Sequence, residues 1–322
     1  MAVEALQAGD KDIPPEGVEV CGVRHVPGEE LRRWKADPAL GQAQAEQVDV
    51  QRQRIGEAGL VHIAGRLAAG NEHQQVAARL LMRDREGAAV LAERSRDPLA
   101  YQLALTACRL QGEGAPSCGR LNARRWAELD PSDARPWLQV ITEEEQRKNA
   151  AGVEAALAQA LARTRLSRGD YLLEAQAVAA ADAVPDAAQL GHALVGAIGM
   201  DQTMPGMDMA LRACRADALK DSTRAEQCRK LAKWVLANTR DLLEADLAQR
   251  LADRLGVPRV QQAHDAATLK AAWDRATTRA MENIADTGCA GMRRAKQFSA
   301  ERAASGDLAM ALALLPARQG AR

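Results

Sequence analysis

Apolar residues along most of this chain recur with the three-to-four-residue period of an amphipathic helix. The clearest example is a run of leucines spaced four positions apart, Leu243, Leu247, Leu251 and Leu255. Gly256 and Pro258 follow this run, and both residue types are typical of the positions just beyond a helix. A second stripe consists of Val153, Leu157 and Leu161, with Ala156 and Ala160 beside it. The pattern therefore predicts helices, and no useful length of alternating strand pattern interrupts it.

Glycine and proline divide the chain into two regions. Residues 1–42 hold several of these residues and would form an irregular N-terminal segment, with a short helix at residues 29–35. Residues 43–322 would form an α-helical repeat-like domain, with a sub-boundary near residues 199–206. Composition agrees, because hydrophobic residues make up 47% of the chain while aromatic residues make up only 2%. Alanine and leucine favour helices, and small side chains let helices pack closely.

One helix–turn–helix junction is the most informative motif of the sequence. It runs from Trp126, Leu129, Asp130 and Pro131 into Trp137 and Leu138, and then through Gly152 into alanine-rich residues 153–160. This segment resembles a degenerate tetratricopeptide repeat over residues 121–166. It departs from the family pattern in two ways: Glu144 occupies the position of an aromatic residue, and the roughly 34-residue period is not kept elsewhere. The resemblance implies an irregular α-solenoid-like stack of antiparallel helix pairs that binds proteins or peptides. It assigns no binding residues.

Six cysteines suggest three disulfides. They are Cys21, Cys108, Cys118, Cys214, Cys228 and Cys289. Cys108 and Cys118 flank one connection, and Cys214 and Cys228 flank another, where residues 223–226 resemble a capping box. Equal depth on antiparallel helices would place each pair within bonding distance. Cys21 would pair with Cys289 by elimination, and free cysteines packed as small apolar residues are the alternative.

Disulfides favour an oxidising compartment, which for a chain rich in alanine and arginine suggests a bacterial periplasm. No charged-then-apolar leader begins the chain, so a periplasmic location would require a removed leader, and a cytoplasmic location is the alternative. No run reaches the ~20 apolar residues of a membrane span. The chain has 43 basic and 43 acidic residues, which argues against nucleic-acid binding. Arginines interspersed with acidic residues, and the run at residues 143–145, are typical of solvated helix faces.

Motifs that carry catalytic chemistry are absent from the sequence. The five histidines include no pair at helical metal-ligand spacing, and no phosphate-binding loop or nucleophile elbow is present. We therefore expect a non-enzymatic scaffold that binds a protein or peptide in a groove between stacked helices. An enzyme whose site is assembled from distant helices is one alternative.

A methionine-rich segment supplies a second alternative. It contains Met200, Met204, Met207 and Met209. Thioethers are soft ligands suited to Cu(I). The sequence of this segment is similar to the methionine-rich motifs of bacterial copper-resistance proteins. Those motifs usually repeat and add histidines, which this chain does not do. A connecting loop whose methionines fill gaps between helices is the other interpretation.

Overall fold

The computed structural model describes residues 13–110, 115–169, 171–184, 186–200, 213–215, 218–258 and 264–316. These residues form fifteen α-helices, one two-stranded sheet and short 3-10 helices. The predicted all-α helical stack is confirmed. The sheet pairs β1 (Val18–Val20) with β2 (Arg24–Val26) as an antiparallel hairpin, with Val18 opposite Val26.

The helices of the first half follow one another with short connections. They are α1 (Gly28–Ala36), α2 (Pro38–Ala68), α3 (Glu72–Leu81), α4 (Arg85–Arg94), α5 (Pro98–Leu110), α6 (Ala123–Leu129), α7 (Arg135–Gln146) and α8 (Ala150–Leu161). The second half contains α9 (Leu172–Ala179), α10 (Ala187–Met200), α11 (Ser222–Asn238), α12 (Leu242–Arg254), α13 (Ala266–Ala285), α14 (Cys289–Ser305) and α15 (Asp307–Ala313).

Aspartate and asparagine side chains cap many of these helices. The side chains of Asp37, Asn71, Asp84, Asn122, Asn149, Asp221 and Asp265 each accept a hydrogen bond from a backbone N–H of the following first turn. Each cap satisfies a donor that the helix leaves unpaired and contributes about 1 kcal/mol. The predicted capping box at residues 223–226 is wrong, because α11 begins at Ser222 and its cap is Asp221.

Neighbouring helices in sequence pack against each other along the stack, and the stack then closes on itself. Helix α10 packs against both α2 and α14, and α9 also packs against α14. The hairpin is joined to the start of α14 by the Cys21–Cys289 disulfide. The first and last described helical regions are therefore neighbours in space.

Close approach between α2 and α10 depends on a glycine. A Cβ atom added to Gly59 would lie 2.4 Å from the carbonyl oxygen of Gln189 and 2.9 Å from the Cβ of Ala193. Gly56 faces His192 at 3.3 Å in the same way. The α2–α10 interface therefore has the small residues at close helix contacts that the sequence predicted.

The described part of residues 1–42 is ordered into the hairpin, α1 and the start of α2. Its apolar side chains form a small core of their own, made of Ile13, Val20, Val26, Leu31 and Trp34 packed with Val48 of α2. The sequence did not predict the hairpin, because strands of three residues are too short to show a pattern.

Candidate functional site

The three predicted cysteine pairs are brought to bonding distance. The Cα atoms are 4.6 Å apart in Cys21–Cys289, 5.4 Å in Cys108–Cys118 and 5.9 Å in Cys214–Cys228. The sequence predicts that Cys214 lies on one of two antiparallel helices. It lies instead in a turn, and residues Ala218–Lys220 form a separate 3-10 helix.

Hydrogen bonds surround the disulfide between the hairpin and α14. The Cys21 N–H donates to the Thr287 carbonyl at 2.9 Å, and the Thr287 hydroxyl donates to the Glu19 carbonyl at 2.6 Å. The buried His192 ring places Nε2 3.0 Å from the Cys21 carbonyl oxygen. Burial lowers the pKa of His192, so the neutral ring donates this hydrogen bond at neutral pH. This histidine has a structural role.

A buried cluster of charges surrounds the connection between α8 and α9. Arg135 of α7 donates from Nη1 and Nη2 to the two carboxylate oxygens of Glu244 in α12, at 2.5 and 2.9 Å. Its Nε donates to the Ser167 carbonyl at 2.7 Å. The Gly169 N–H donates to Asp241 Oδ2 at 2.8 Å. Arg135 and Asp241, which belong to an ion cluster that joins α7 to α12, therefore both bind the backbone of this connection.

The pKa of Asp241 is strongly shifted from its ordinary value. Burial raises its pKa to about 7, and the neighbouring Glu244 charge acts in the same direction while Arg135 opposes both. Its Oδ1 is buried without a hydrogen-bond partner among the described residues. Thr239 completes the cluster by donating to Glu244 Oε2 at 2.8 Å.

A second buried ion pair holds the far end of the same connection. Arg302 of α14 donates from Nε and Nη2 to the carboxylate of Glu174 in α9, at 2.9 and 2.5 Å. Its guanidinium carbon stacks 3.8 Å from the ring centroid of Tyr171. Tyr171 precedes α9 with a φ of 55°, a left-handed conformation that is uncommon for a residue with a side chain.

These carboxylates converge from distant parts of the sequence, as the enzyme alternative requires, but they are paired with arginines and shielded from solvent. A reactive acid or base needs access to substrate. The arrangement instead fixes the path of the chain. One sequence interpretation is wrong here: Glu144 does not lie on a solvated face, since it is only 3% exposed and accepts from Arg124 Nη2 and Asn149 Nδ2.

An apolar groove opens on the surface between α2, α3 and α4, with a volume of 490 Å³. Its walls are mostly apolar and are formed by Val61, Ala64, Gly65, Ala68, Ala78, Met82 and Leu91. Three polar side chains, Gln75, Arg79 and Asp84, complete the lining. Arg79 Nη1 and Asp84 Oδ2 are 3.0 Å apart, so the charges of the groove are paired with each other. Sequence reasoning missed this groove, since nothing in a periodic pattern distinguishes a groove wall from a core face.

Solvent exposure marks the groove as a surface site. Val61 is 55% exposed and Met82 is 49% exposed, while Ala64 and Ala78 form the buried floor. A Cβ atom added to Gly65 would meet nothing within 4 Å. The groove therefore has room for an incoming side chain directly above the backbone of α2.

The predicted copper ligands are only partly placed. Met200 ends α10 and packs against the largest hydrophobic core. Met204, Met207 and Met209 lie outside the described residues, so Cu(I) binding through this segment stays a prediction. Within the described ranges, no group of three or more His, Cys, Asp or Glu side chains could hold a metal ion.

Comparison with known proteins adds no family. No protein-family model, no curated protein and no solved structure matches this chain. The resemblance of residues 121–166 to a tetratricopeptide repeat therefore stays a prediction, although α6, α7 and α8 lie over that segment. None of the described helices is long and apolar enough to cross a membrane.

Proposed function

We propose that this protein is a non-enzymatic scaffold that binds a short amphipathic helix of a partner protein in the groove between α2, α3 and α4. The observation that carries the proposal is the apolar lining of that groove together with the exposure of Val61 and Met82 at its edge. An apolar surface that is contiguous and open to solvent is typical of a docking site.

The shape of the groove supports a helix as occupant. Helices α2, α3 and α4 form its walls, and the lining residues Gly65 and Ala68 on α2 have little or no side chain. A partner backbone can therefore lie close to α2 and place aliphatic side chains at its positions i and i+4 into the space above Ala64 and Ala78. Met82 has an unbranched, adaptable side chain that can pack against aliphatic groups of different shape.

The polar side chains of the lining indicate that the occupant needs no net charge. Arg79 and Asp84 already pair with each other, so a bound segment does not have to bring a net charge to neutralise them. Gln75 donates from Nε2 to the Gly70 carbonyl at 2.9 Å, which fixes its side chain beside the groove. An apolar face flanked by neutral polar residues is the chemistry that this surface would select.

The proposed compartment is the bacterial periplasm. Three cysteine pairs at disulfide distance support an oxidising environment, because such bonds are rare where thiols are kept reduced.

Selection from a displayed library of amphipathic helical peptides tests the function. We expect selected sequences to share aliphatic residues at i and i+4 and to lose at least tenfold in affinity for a Gly65→Leu variant. Gly119→Leu is the matched control, because a Cβ atom there also meets nothing within 4 Å but lies outside the groove. Peptides that bind Gly65→Leu as tightly as the wild type would contradict the proposal, as would a library that yields no binder.

A further inference from the structure

A second, smaller cavity of 110 Å³ lies beneath α13 and is independent of the groove between α2, α3 and α4. Apolar walls are supplied by Leu242, Ala276 and Phe298, all buried. Trp273, which is 41% exposed, stands at the solvent side together with Thr277. An exposed tryptophan beside a cavity with a buried apolar wall is a frequent feature of ligand sites.

Two charged side chains complete the lining, and both are more than nine-tenths buried. They are Arg302 of α14 and Asp307, the first residue of α15. Arg302 uses Nε and Nη2 to bind Glu174, and its Nη1 makes no hydrogen bond to the described residues. Burial raises the pKa of the Asp307 carboxyl group, while the charges of Arg302 and Arg168 oppose this shift.

Stacking fixes the plane of the guanidinium group. Its carbon is 3.8 Å from the ring centroid of Tyr171 and 5.0 Å from that of Phe298. These two ring contacts and the two hydrogen bonds to Glu174 restrict the rotation of the Arg302 side chain. The remaining N–H donors of Arg302 and the carboxylate of Asp307 are thus a fixed donor and a fixed acceptor lining one small space.

We propose that this cavity binds a small neutral primary carboxamide carried on a flat apolar ring, with its carbonyl oxygen on Arg302 Nη1 and its N–H on Asp307. A carboxamide presents one acceptor and one donor side by side, so it satisfies both groups without adding charge. A carboxylate would be repelled by Asp307 and Glu174. The cavity is smaller than an engineered cavity of roughly 150 Å³ that holds benzene, so the carboxamide group occupies it and the ring lies at its solvent side beside Trp273.

Binding of 4-fluorobenzamide, followed by fluorine NMR, tests the proposal. We expect saturable binding at least tenfold tighter than that of 4-fluorobenzoate or fluorobenzene, which lack the neutral donor–acceptor pair. We also expect the indole N–H resonance of Trp273, assigned with a Trp273→Phe variant, to shift on titration. Equal binding of fluorobenzene, an unmoved Trp273 resonance, or no binding of the amide would each overturn the proposal.

Two matched variants locate the site. Ala280→Leu adds a side chain at the cavity wall and should weaken 4-fluorobenzamide at least tenfold. Ala271→Leu makes the same change at an exposed position of α13 that does not line the cavity, and should leave binding unchanged. Because the shift of Trp273 is measured on the wild-type protein, the result does not depend on Ala280→Leu folding. Equal binding by both folded variants and the wild type would place the ligand elsewhere.

Discussion

Arg135 and Glu244 lie 109 positions apart in the sequence and form a two-bond ion pair inside the molecule, with Arg135 2% exposed and Glu244 fully buried. The pair joins α7 to α12 across the connection that leads into α9. Removing one partner of such a pair leaves an uncompensated charge without water. The stability of the protein should therefore be unusually sensitive at these two positions.

Replacing Arg135 with alanine should lower the free energy of unfolding by roughly 3–5 kcal/mol, because Glu244 and Asp241 then stay buried without their counter-charge. Urea unfolding followed by circular dichroism measures the change. Arg125→Ala is the control, since Arg125 pairs with Glu128 on the surface and such pairs contribute about 0–1 kcal/mol. Losses of similar size in the two variants would contradict a buried role for Arg135.

Asp241 should make stability depend on pH in the direction opposite to ordinary acid unfolding. Its pKa is raised from 3.8 to about 7, so between those values the folded protein holds a proton that the unfolded chain releases. The contribution of Asp241 is fully present below the unfolded pKa and is lost as the pH rises through the folded pKa. An Asp241→Asn variant cannot titrate and lacks this dependence.

Unfolding free energies of the wild type and Asp241→Asn, compared from about pH 4 to about pH 8, measure this effect. The wild type should lose stability relative to the variant as the pH rises. Carboxylates with lowered pKa values, such as Glu72 and Glu144, act equally in both proteins and cancel in the difference. A difference that is constant with pH would show that Asp241 titrates as in the unfolded chain.

Two glycines of α2 should respond in opposite directions to alanine. Gly59→Ala forces a Cβ atom against the Gln189 carbonyl oxygen and should destabilise by roughly 1–3 kcal/mol. Gly65→Ala meets open space and should stabilise by about 0.5–1 kcal/mol, because alanine loses less entropy than glycine in a helix. Thermal unfolding of both variants gives the comparison. Stabilisation by Gly59→Ala would mean that α2 and α10 do not pack this closely, and destabilisation by Gly65→Ala would mean that the space above Gly65 is not open.

The disulfides should contribute unequally to stability. Cys21 and Cys289 are 268 positions apart, whereas Cys108 and Cys118 are 10 apart. On the chain-entropy estimate the first bond contributes about 6 kcal/mol and the second about 3 kcal/mol. Unfolding of the Cys21→Ala/Cys289→Ala and Cys108→Ala/Cys118→Ala variants compares them.

A thiol assay on the denatured, unreduced protein accompanies this comparison and should detect no reactive groups. Six thiols would remove the argument for an oxidising compartment. Equal losses of stability in the two double variants would instead show that loop length does not set the contribution of these bonds.

Local features of the fold could be predicted because their causes are local. Gly256 adopts a φ of 65° just after α12, as the leucine run followed by glycine indicates. Cys108 and Cys118 could be paired because both flank one connection. The leucine stripe marks the buried face only in part, since Leu251 is buried whereas Leu243, Leu247 and Leu255 are half-buried. Alanines at positions 245, 248 and 252 share the buried face, and alanine gives a weak apolar signal.

Features that depend on distant contacts could not be predicted. Arg135 and Glu244 look like any surface charges in the sequence, and only the folded chain shows that they meet. The interpretation of residues 143–145 as a solvated face failed for the same reason, because Arg124 and Asn149 surround Glu144. Neither the groove beside Val61 nor the cavity beside Trp273 is encoded by spacing along one helix. Each is formed where the surfaces of several helices leave a gap.

The packing of α10 between α2 and α14 has a consequence for how this protein can vary. An open helical array gains or loses whole units at its free edges, and each addition buries the previous edge. Here those edges already cover each other, and a disulfide joins the hairpin to α14. An additional helix pair would have to separate α2 from α10. We therefore expect the length of this protein to vary in its surface connections and not in the number of its helices.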